Sequence, residues 1–290
     1  MLVRPFINFS VGLFLFLSGY LTKLENNDWK KFYKKRIIRV LVPYIIWTVI
    51  YSVLHGFDIK RLLINLITSK ATGTLYYIPV YIQFVLLTPV LAKLITSKYR
   101  WIGWVITPLA LIIFKYIWLI LGMPLNKYIS AIWDVSCLGW FIYYYLGLFL
   151  GNGLLKRKIN IKKTLILFII SIPLQMLESY WWLTIGEVNC GTQLKLTACI
   201  TSVLACIIAY YFITNDKVIC KNNILISIGN YSFGIYLLHI LIINVMNKIP
   251  IYTLLPYLVN SAIVLLVSYI CVVICNKICG NSIGKWIGFV

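Results

Sequence analysis

The sequence contains few charged residues and very few acidic ones. Only 12% of its 290 residues are charged, and seven Asp and Glu residues stand against 27 Lys and Arg, giving a formal net charge of +20. Soluble globular domains have about 25% charged residues, so this composition excludes that class. A nucleic-acid-binding protein would need a hydrophilic surface to carry its positive charge, and a chain that is 61% hydrophobic has too little of one.

Histidine and the usual cofactor motifs are scarce as well. The chain has two His residues, and its eight Cys residues are not spaced as zinc ligands. It contains neither the glycine pattern of a Walker loop nor that of a dinucleotide-binding loop. We therefore expect no metal, and no nucleotide held by loops of those kinds.

Long apolar stretches dominate the sequence instead. A membrane-spanning helix needs about 20 mostly apolar residues, whereas the strands of a barrel would alternate polar and apolar positions. The stretches here are apolar on all sides. They predict an all-α, polytopic transmembrane helix bundle with about nine spans, forming a single membrane-embedded domain over residues 1–290. The predicted spans are Pro5–Thr22, Ile37–His55, Thr74–Ile95, Trp101–Gly122, Leu138–Gly151, Thr164–Thr184, Leu194–Thr214, Ile224–Met246 and Tyr252–Asn276.

Lys and Arg residues cluster in alternate connections between these spans. Nineteen of the 27 lie in the first, third, fifth and seventh connections and in the C-terminal tail. Positively charged residues are enriched in cytoplasmic loops. We therefore predict a protein of the cell (plasma) membrane in which this side and the C-terminus are cytoplasmic. Nine spans then place Met1 outside, with Arg4 ahead of the first span. That arrangement is unfavourable, and it predicts one further helix upstream.

Two arginines stand out at the cytoplasmic end of the second span. Arg36 and Arg39 are three positions apart and therefore share a helix face. The planar fork of donors on a guanidinium group suits phosphate, so the pair could bind the diphosphate or the 3′-phosphate of coenzyme A. The alternative is that both residues bind lipid head groups, as cations at cytoplasmic helix ends commonly do.

Four segments form a recognisable pattern when they are taken in order along the chain. They are Phe14–Thr22 (FLFLSGYLT), the Arg36-x-x-Arg39 pair with Pro43-Tyr44, Leu75–Pro79 (LYYIP) with Thr88-Pro89, and Gly229–His239 (GNYSFGIYLLH). Together they resemble the acyltransferase 3 family of membrane-bound acyltransferases, over nearly the whole chain. The resemblance implies transfer of an acyl group, often acetyl from acetyl-CoA, to a hydroxyl or amine of a cell-envelope carbohydrate, a lipid-linked sugar or a similar acceptor. It also implies that Arg36 and Arg39 serve the acyl donor.

The chain departs from the family pattern at its start. Members normally carry one more helix ahead of this region, with an acidic-Arg-Gly stretch and a His regarded as catalytic. No residue here matches that His. We therefore expect an N-terminally short domain, caused either by a short gene model or by a truncation that leaves the homologue inactive, unless another residue substitutes.

His239 is the candidate substitute, because ionisable residues inside a membrane are costly and often functional. The alternative is a neutral His hydrogen-bonded within the bundle. Lys115 and Glu178 lie at a similar depth in other spans, where uncompensated charges would be unfavourable. We predict a polar chamber of Lys115, Glu178 and His239 that admits the acceptor, with His239 and Glu178 catalytic; alternatively, Lys115 extends to the lipid head groups. The second histidine, His55, precedes Gly56 at the end of a span and is predicted to be interfacial.

These observations favour a multi-pass membrane acyltransferase that O-acetylates its acceptor, with a histidine as general base. The abundance of Ile, Lys and Asn is typical of a low-GC bacterial genome. The expected partners are the lipid bilayer, acyl-CoA (acetyl-CoA) as donor, and an envelope glycan or lipid-linked sugar as acceptor, but not nucleic acid. Two alternatives stay open: a transporter or flippase of a lipid-linked sugar or polysaccharide, and an inactive truncated homologue.

Overall fold

The computed structural model describes residues 7–24, 28–123, 125–155, 158–187, 189–215 and 223–289. Within these ranges the chain is helical and contains no β-strand, which confirms the predicted all-α fold class. The prediction about the side of Met1 and Arg4 concerns residues outside the described part. The helices are α1 (Ser10–Tyr20), α2 (Trp29–Leu54), α3 (Ile59–Thr68), α4 (Tyr77–Thr96), α5 (Ile102–Leu111), α6 (Ile117–Ile120), α7 (Lys127–Asp134), α8 (Phe141–Gly151), α9 (Ile161–Thr184), α10 (Leu196–Thr214), α11 (Asn223–Asn230), α12 (Ser232–Met246), α13 (Pro250–Thr253) and α14 (Tyr257–Ile287).

Seven helical segments among the described residues are long and apolar enough to cross a membrane. They include the continuous segment Ile102–Ile120, in which a π-helical turn joins α5 to α6, and Tyr128–Gly151, which contains α8. An eighth span results if α11 and α12 are counted together across their bend of 76°. Every predicted span therefore contains a helix. The number of full-length spans is smaller than nine because of this bend and because α1 has only 11 residues.

Side-chain caps explain where several helices begin. The Asp58 carboxylate accepts a hydrogen bond from Lys60 N at 3.0 Å at the start of α3. The Asn126 and Asn160 side chains do the same for α7 and α9, accepting from Tyr128 N at 2.9 Å and from Lys163 N at 3.1 Å. Each cap satisfies a backbone donor that has no partner within its own helix. The short helix α3 lies between spans, in a segment that the sequence pattern left as a connection. Helix α7 forms the first part of the segment Tyr128–Gly151.

The chain divides into two compact units. The first consists of Met1–Trp29 and Val80–Val218, and the second of Lys30–Pro79 and Ile219–Val290. Each unit combines segments that are distant in the sequence. The single membrane-embedded domain over residues 1–290 stays a prediction.

In the first unit, α1 and α8 pack with their backbones almost in contact. A Cβ atom built on Gly147 would lie 2.1 Å from Phe16 O, and one on Gly151 would lie 2.2 Å from Tyr20 O. Gly147 and Gly151 are four residues apart, the spacing by which small residues let membrane helices approach closely. On α1, a Cβ atom on Gly19 would lie 2.3 Å from a backbone carbonyl of α8. The two helices can therefore pack this closely only if glycine occupies these positions.

In the second unit, α14 breaks at Gly280 and the chain then turns back onto α2. Gly280 has φ 74° and ψ 163°, which is not helical and is open to glycine. Beyond the break, Trp47 Nε1 donates a hydrogen bond to Ile287 O at 3.0 Å. The rings of Trp47 and Phe289 lie 6.0 Å apart, and Phe289 is buried. Residues 281–289 thus cover the middle of α2.

Candidate functional site

One buried face of α2 links the predicted arginine pair to the deeper part of the second unit. Arg36, Tyr44, Trp47 and Tyr51 follow one another at helical spacing, and the last three are buried. Arg36 is half-buried, with its guanidinium carbon 5.0 Å from the centre of the Phe32 ring. Arg39 is exposed. The pair therefore lies at one end of this face with at least one guanidinium accessible to a ligand.

Tyr51 connects the other end of that face to α12. Its hydroxyl donates to Leu237 O at 2.8 Å and accepts from Leu241 N at 3.3 Å. Leu237 and Leu241 are four residues apart, so their backbone groups are the ordinary partners of an α-helical hydrogen bond. The Tyr51 hydroxyl therefore binds both backbone groups of the turn that contains His239.

His239 is half-buried on α12, and the structure indicates its tautomer. Nδ1 lies 2.5 Å from Tyr236 O, one turn earlier on the same helix. A carbonyl oxygen only accepts hydrogen bonds, so a neutral His239 carries its proton on Nδ1 and its lone pair on Nε2. That is the state in which an imidazole can act as a base.

Tyr236 brings a third segment to the same place. Its hydroxyl donates to Thr74 O, and its ring lies 5.8 Å from the ring of Tyr77 and 6.0 Å from that of His239. The segments Leu75–Pro79 and Gly229–His239, far apart in the sequence, therefore meet beside His239. Three of the four segments that carry the family resemblance contribute to the second unit; the fourth, Phe14–Thr22, lies in the first unit and includes most of α1.

Glu178 lies in the first unit, where it caps the N-terminus of α10. Its carboxylate accepts hydrogen bonds from the Tyr116 hydroxyl, from the Thr197 hydroxyl and from Thr197 N, the last at 3.1 Å. The Tyr116 hydroxyl in turn accepts from Leu196 N at 3.0 Å. An acceptor with negative charge stabilises a helix N-terminus. These bonds give Glu178 a structural role; its catalytic role stays a prediction.

Lys195, immediately before α10, is the buried cation that the sequence pattern did not single out. It is completely buried, and its Nζ donates to the Ser179 hydroxyl and to Cys190 O, the latter at 2.8 Å. The Glu178 carboxylate lies close enough to Lys195 to stabilise its positive charge. No local pattern signals its burial, because α9 supplies both Ser179 and Glu178.

The chamber predicted from Lys115, Glu178 and His239 stays a prediction, since Glu178 and His239 belong to different units. Lys115 lies on the π-helical turn and lines a pocket whose lining does not include Glu178. The charged groups near Glu178 instead include Lys195. His55 lies just beyond the end of α2 and is exposed; its interfacial position stays a prediction.

The structural role of Glu178 can be tested by substitution. We expect Glu178→Ala to lower the free energy of unfolding by about 2–3 kcal/mol, because Thr197 N and the Tyr116 hydroxyl lose their acceptor. Glu178→Gln should lose less, since its amide oxygen still accepts. Thermal unfolding of the purified protein, followed by tryptophan fluorescence, measures both. A Glu178→Gln protein that melts like the wild type but transfers no acyl group would assign the carboxylate to catalysis instead.

The described helices and the clusters within them define a multi-pass α-helical membrane protein with two polar centres. The model of the acyltransferase 3 family, described as an acyltransferase domain, matches residues 1–277. The chain belongs to this family, which makes it a membrane acyltransferase in general terms and confirms the resemblance seen in its sequence. Searches of curated proteins and of solved structures found no match.

Proposed function

We propose that the protein transfers an acyl group, most simply acetyl, from acyl-CoA to a hydroxyl of a cell-envelope carbohydrate or a related acceptor. One observation carries this proposal: the face of α2 that bears Arg36 is buried from Tyr44 to Tyr51, whose hydroxyl binds the turn of His239. A group suited to phosphate and a group suited to general-base catalysis thus share one compact unit.

The donor would enter at the Arg36 end of α2, where the helix is not buried. Arg36 and Arg39 would bind phosphate groups of coenzyme A through charge-assisted hydrogen bonds. Fifteen residues separate Arg36 from Tyr51, which corresponds to about 22 Å along the helix axis. The acyl arm would pass Trp47 and the segment 281–289 to reach the neighbourhood of His239.

His239 would supply the base. Its Nε2 would take the proton of the acceptor hydroxyl while the hydroxyl oxygen attacks the thioester carbonyl carbon. The carbon–sulfur bond then breaks, and the thiolate of coenzyme A leaves and takes the proton back from the imidazolium. The products are the acyl ester of the acceptor and free coenzyme A.

The proposed location is the cell membrane, with the Arg36 end of α2 and the C-terminal tail on the cytoplasmic side. The excess of Lys and Arg in the connections on that side supports this orientation. It also places the arginine pair on the side where acyl-CoA is available.

The donor site is tested by the double variant Arg36→Gln/Arg39→Gln in proteoliposomes supplied with radiolabelled acetyl-CoA. We expect kcat/KM for acetyl-CoA to fall by about 100-fold or more, since two charge-assisted hydrogen-bonding groups are lost. The matched control is Lys34→Gln/Lys35→Gln, which removes the same charge from exposed positions of the same helix. If the control and the arginine variant both transfer at the wild-type rate, the arginines do not bind the donor.

A further inference from the structure

A pocket in the first unit is lined by residues that the proposed donor and base assignments do not use. It has a volume of about 310 Å³ and is bounded by the end of the segment Ile102–Ile120, by α7 and by the residues that follow α9. The polar and aromatic side chains of its lining include Lys115, Trp118, Ser130 and Glu187. A volume of this size is at the lower end of the range for small-molecule sites.

The π-helical turn Ile112–Tyr116 places Lys115 in the wall of this pocket. Such turns are rare and occur frequently at functional sites. Lys115 lies five residues before Ile120, about 7.5 Å from the end of the helix. Among the described residues, Lys115 forms no ion pair with a carboxylate.

Glu187 provides the opposite charge in the same lining. It follows Gly186, whose φ of +85° ends the α9 region, and its Oε1 accepts a hydrogen bond from Asn189 N at 2.9 Å. The pocket thus contains one cation and one anion that do not form an ion pair with each other. Trp118 and Trp182 lie in the same lining, and indole rings favour the membrane interface and attract cations.

The neighbouring surface is apolar and exposed. Ile120 is 70% exposed, Leu121 56% and Ile185 44%. In a membrane protein, exposed aliphatic side chains at the end of a span contact lipid acyl chains. A ligand of this pocket would therefore lie next to the acyl region of the bilayer.

We propose that this pocket binds the zwitterionic head group of an aminophospholipid, with the phosphate at Lys115 and the ammonium group at Glu187. An anionic head group without an amine would be attracted by Lys115 but repelled by Glu187. A neutral sugar would leave both charges without a counter-charge. Only a ligand that carries both a negative and a positive charge provides a counter-charge for Lys115 and for Glu187. The site is independent of the acyl-transfer reaction proposed above.

The test measures lipid retention by native mass spectrometry. The full-length protein is reconstituted with equal amounts of phosphatidylethanolamine and phosphatidylglycerol and then released into detergent. The wild type should retain phosphatidylethanolamine about tenfold more than phosphatidylglycerol, the size expected for one charge-assisted contact. Lys115→Gln should reduce retention of both lipids, whereas Glu187→Gln should remove the preference between them. Lys115→Arg keeps the charge and should retain the wild-type pattern.

Two matched controls change exposed charges that do not line the pocket, Lys248→Gln and Asp134→Asn. Both should retain lipid like the wild type. Equal retention of phosphatidylethanolamine by the wild type, Lys115→Gln and Glu187→Gln would overturn the proposal. Because the measurement does not use acyl transfer, the result is independent of whether His239 or the arginine pair is catalytic.

Discussion

Gly147→Ala is expected to lower the free energy of unfolding by about 3 kcal/mol, the upper part of the usual range for overpacking. The added Cβ atom would lie 2.1 Å from Phe16 O and 2.8 Å from Tyr20 N. Both are backbone atoms of the α1 region, so they cannot move aside as the end of a flexible side chain can. The helices must separate, and the packing along the whole α1–α8 interface weakens with them.

Size-exclusion chromatography of the heated, detergent-solubilised protein measures this effect as the temperature at which the monodisperse peak is lost. The control is Gly229→Ala, on helix α11, where no atom lies within 4 Å of an added Cβ. That change should be neutral or stabilise the protein by up to about 1 kcal/mol, because alanine favours the helix. If the Gly147→Ala and Gly229→Ala proteins lose their monodisperse peaks at the same temperature, close packing at this interface does not stabilise the fold.

His239→Gln is expected to lower kcat for acyl transfer by about 100-fold or more, the usual contribution of a general base. Glutamine can still form hydrogen bonds near Tyr236 O, but it cannot take a proton from the acceptor hydroxyl. KM for acetyl-CoA should change little, because the phosphates would be bound at the other end of the α2 face. Initial rates in proteoliposomes at saturating donor measure kcat separately from KM.

His55→Gln is the matched control for this variant. It changes the other histidine of the chain, which is exposed just beyond the end of α2, and it should leave both kinetic constants unchanged. Full activity in His239→Gln would remove His239 as the base. The arginine variants are tested by their kcat/KM for acetyl-CoA, so that outcome would not affect the assignment of the donor site.

Much of the fold could be predicted from local patterns. Each of the predicted spans contains a helix, because the length and polarity of an apolar stretch are properties of consecutive residues. The position of His55 at the end of a helix followed from its neighbour Gly56 in the same way. The bend between α11 and α12 was not predicted, because the stretches on both sides of it are apolar. The break at Gly280 was not predicted either, because it lies beyond the last predicted span, Tyr252–Asn276.

The sites were less accessible to sequence reasoning. The Arg36 and Arg39 pair could be recognised because its spacing places both residues on one helix face. The contact of Tyr51 with the turn of His239 has no counterpart in local sequence, since 186 residues separate Tyr51 from Leu237. Depth along separate spans places Lys115, Glu178 and His239 at a similar level, but depth alone does not determine which faces of the helices pack together, so their meeting stays a prediction.

The amino-acid pattern alone was sufficient to establish a multi-pass helical membrane protein of the acyltransferase 3 family. Hydropathy and short motifs depend only on residues that are neighbours in the sequence, so they can be recognised without knowledge of the packing. Tertiary structure alone decided that Glu178 caps α10, that Lys195 is buried near it, and that Lys115 lines a separate pocket with Glu187. The physical reason is that a charge inside a membrane protein is stabilised by whichever polar groups the packed helices bring to it.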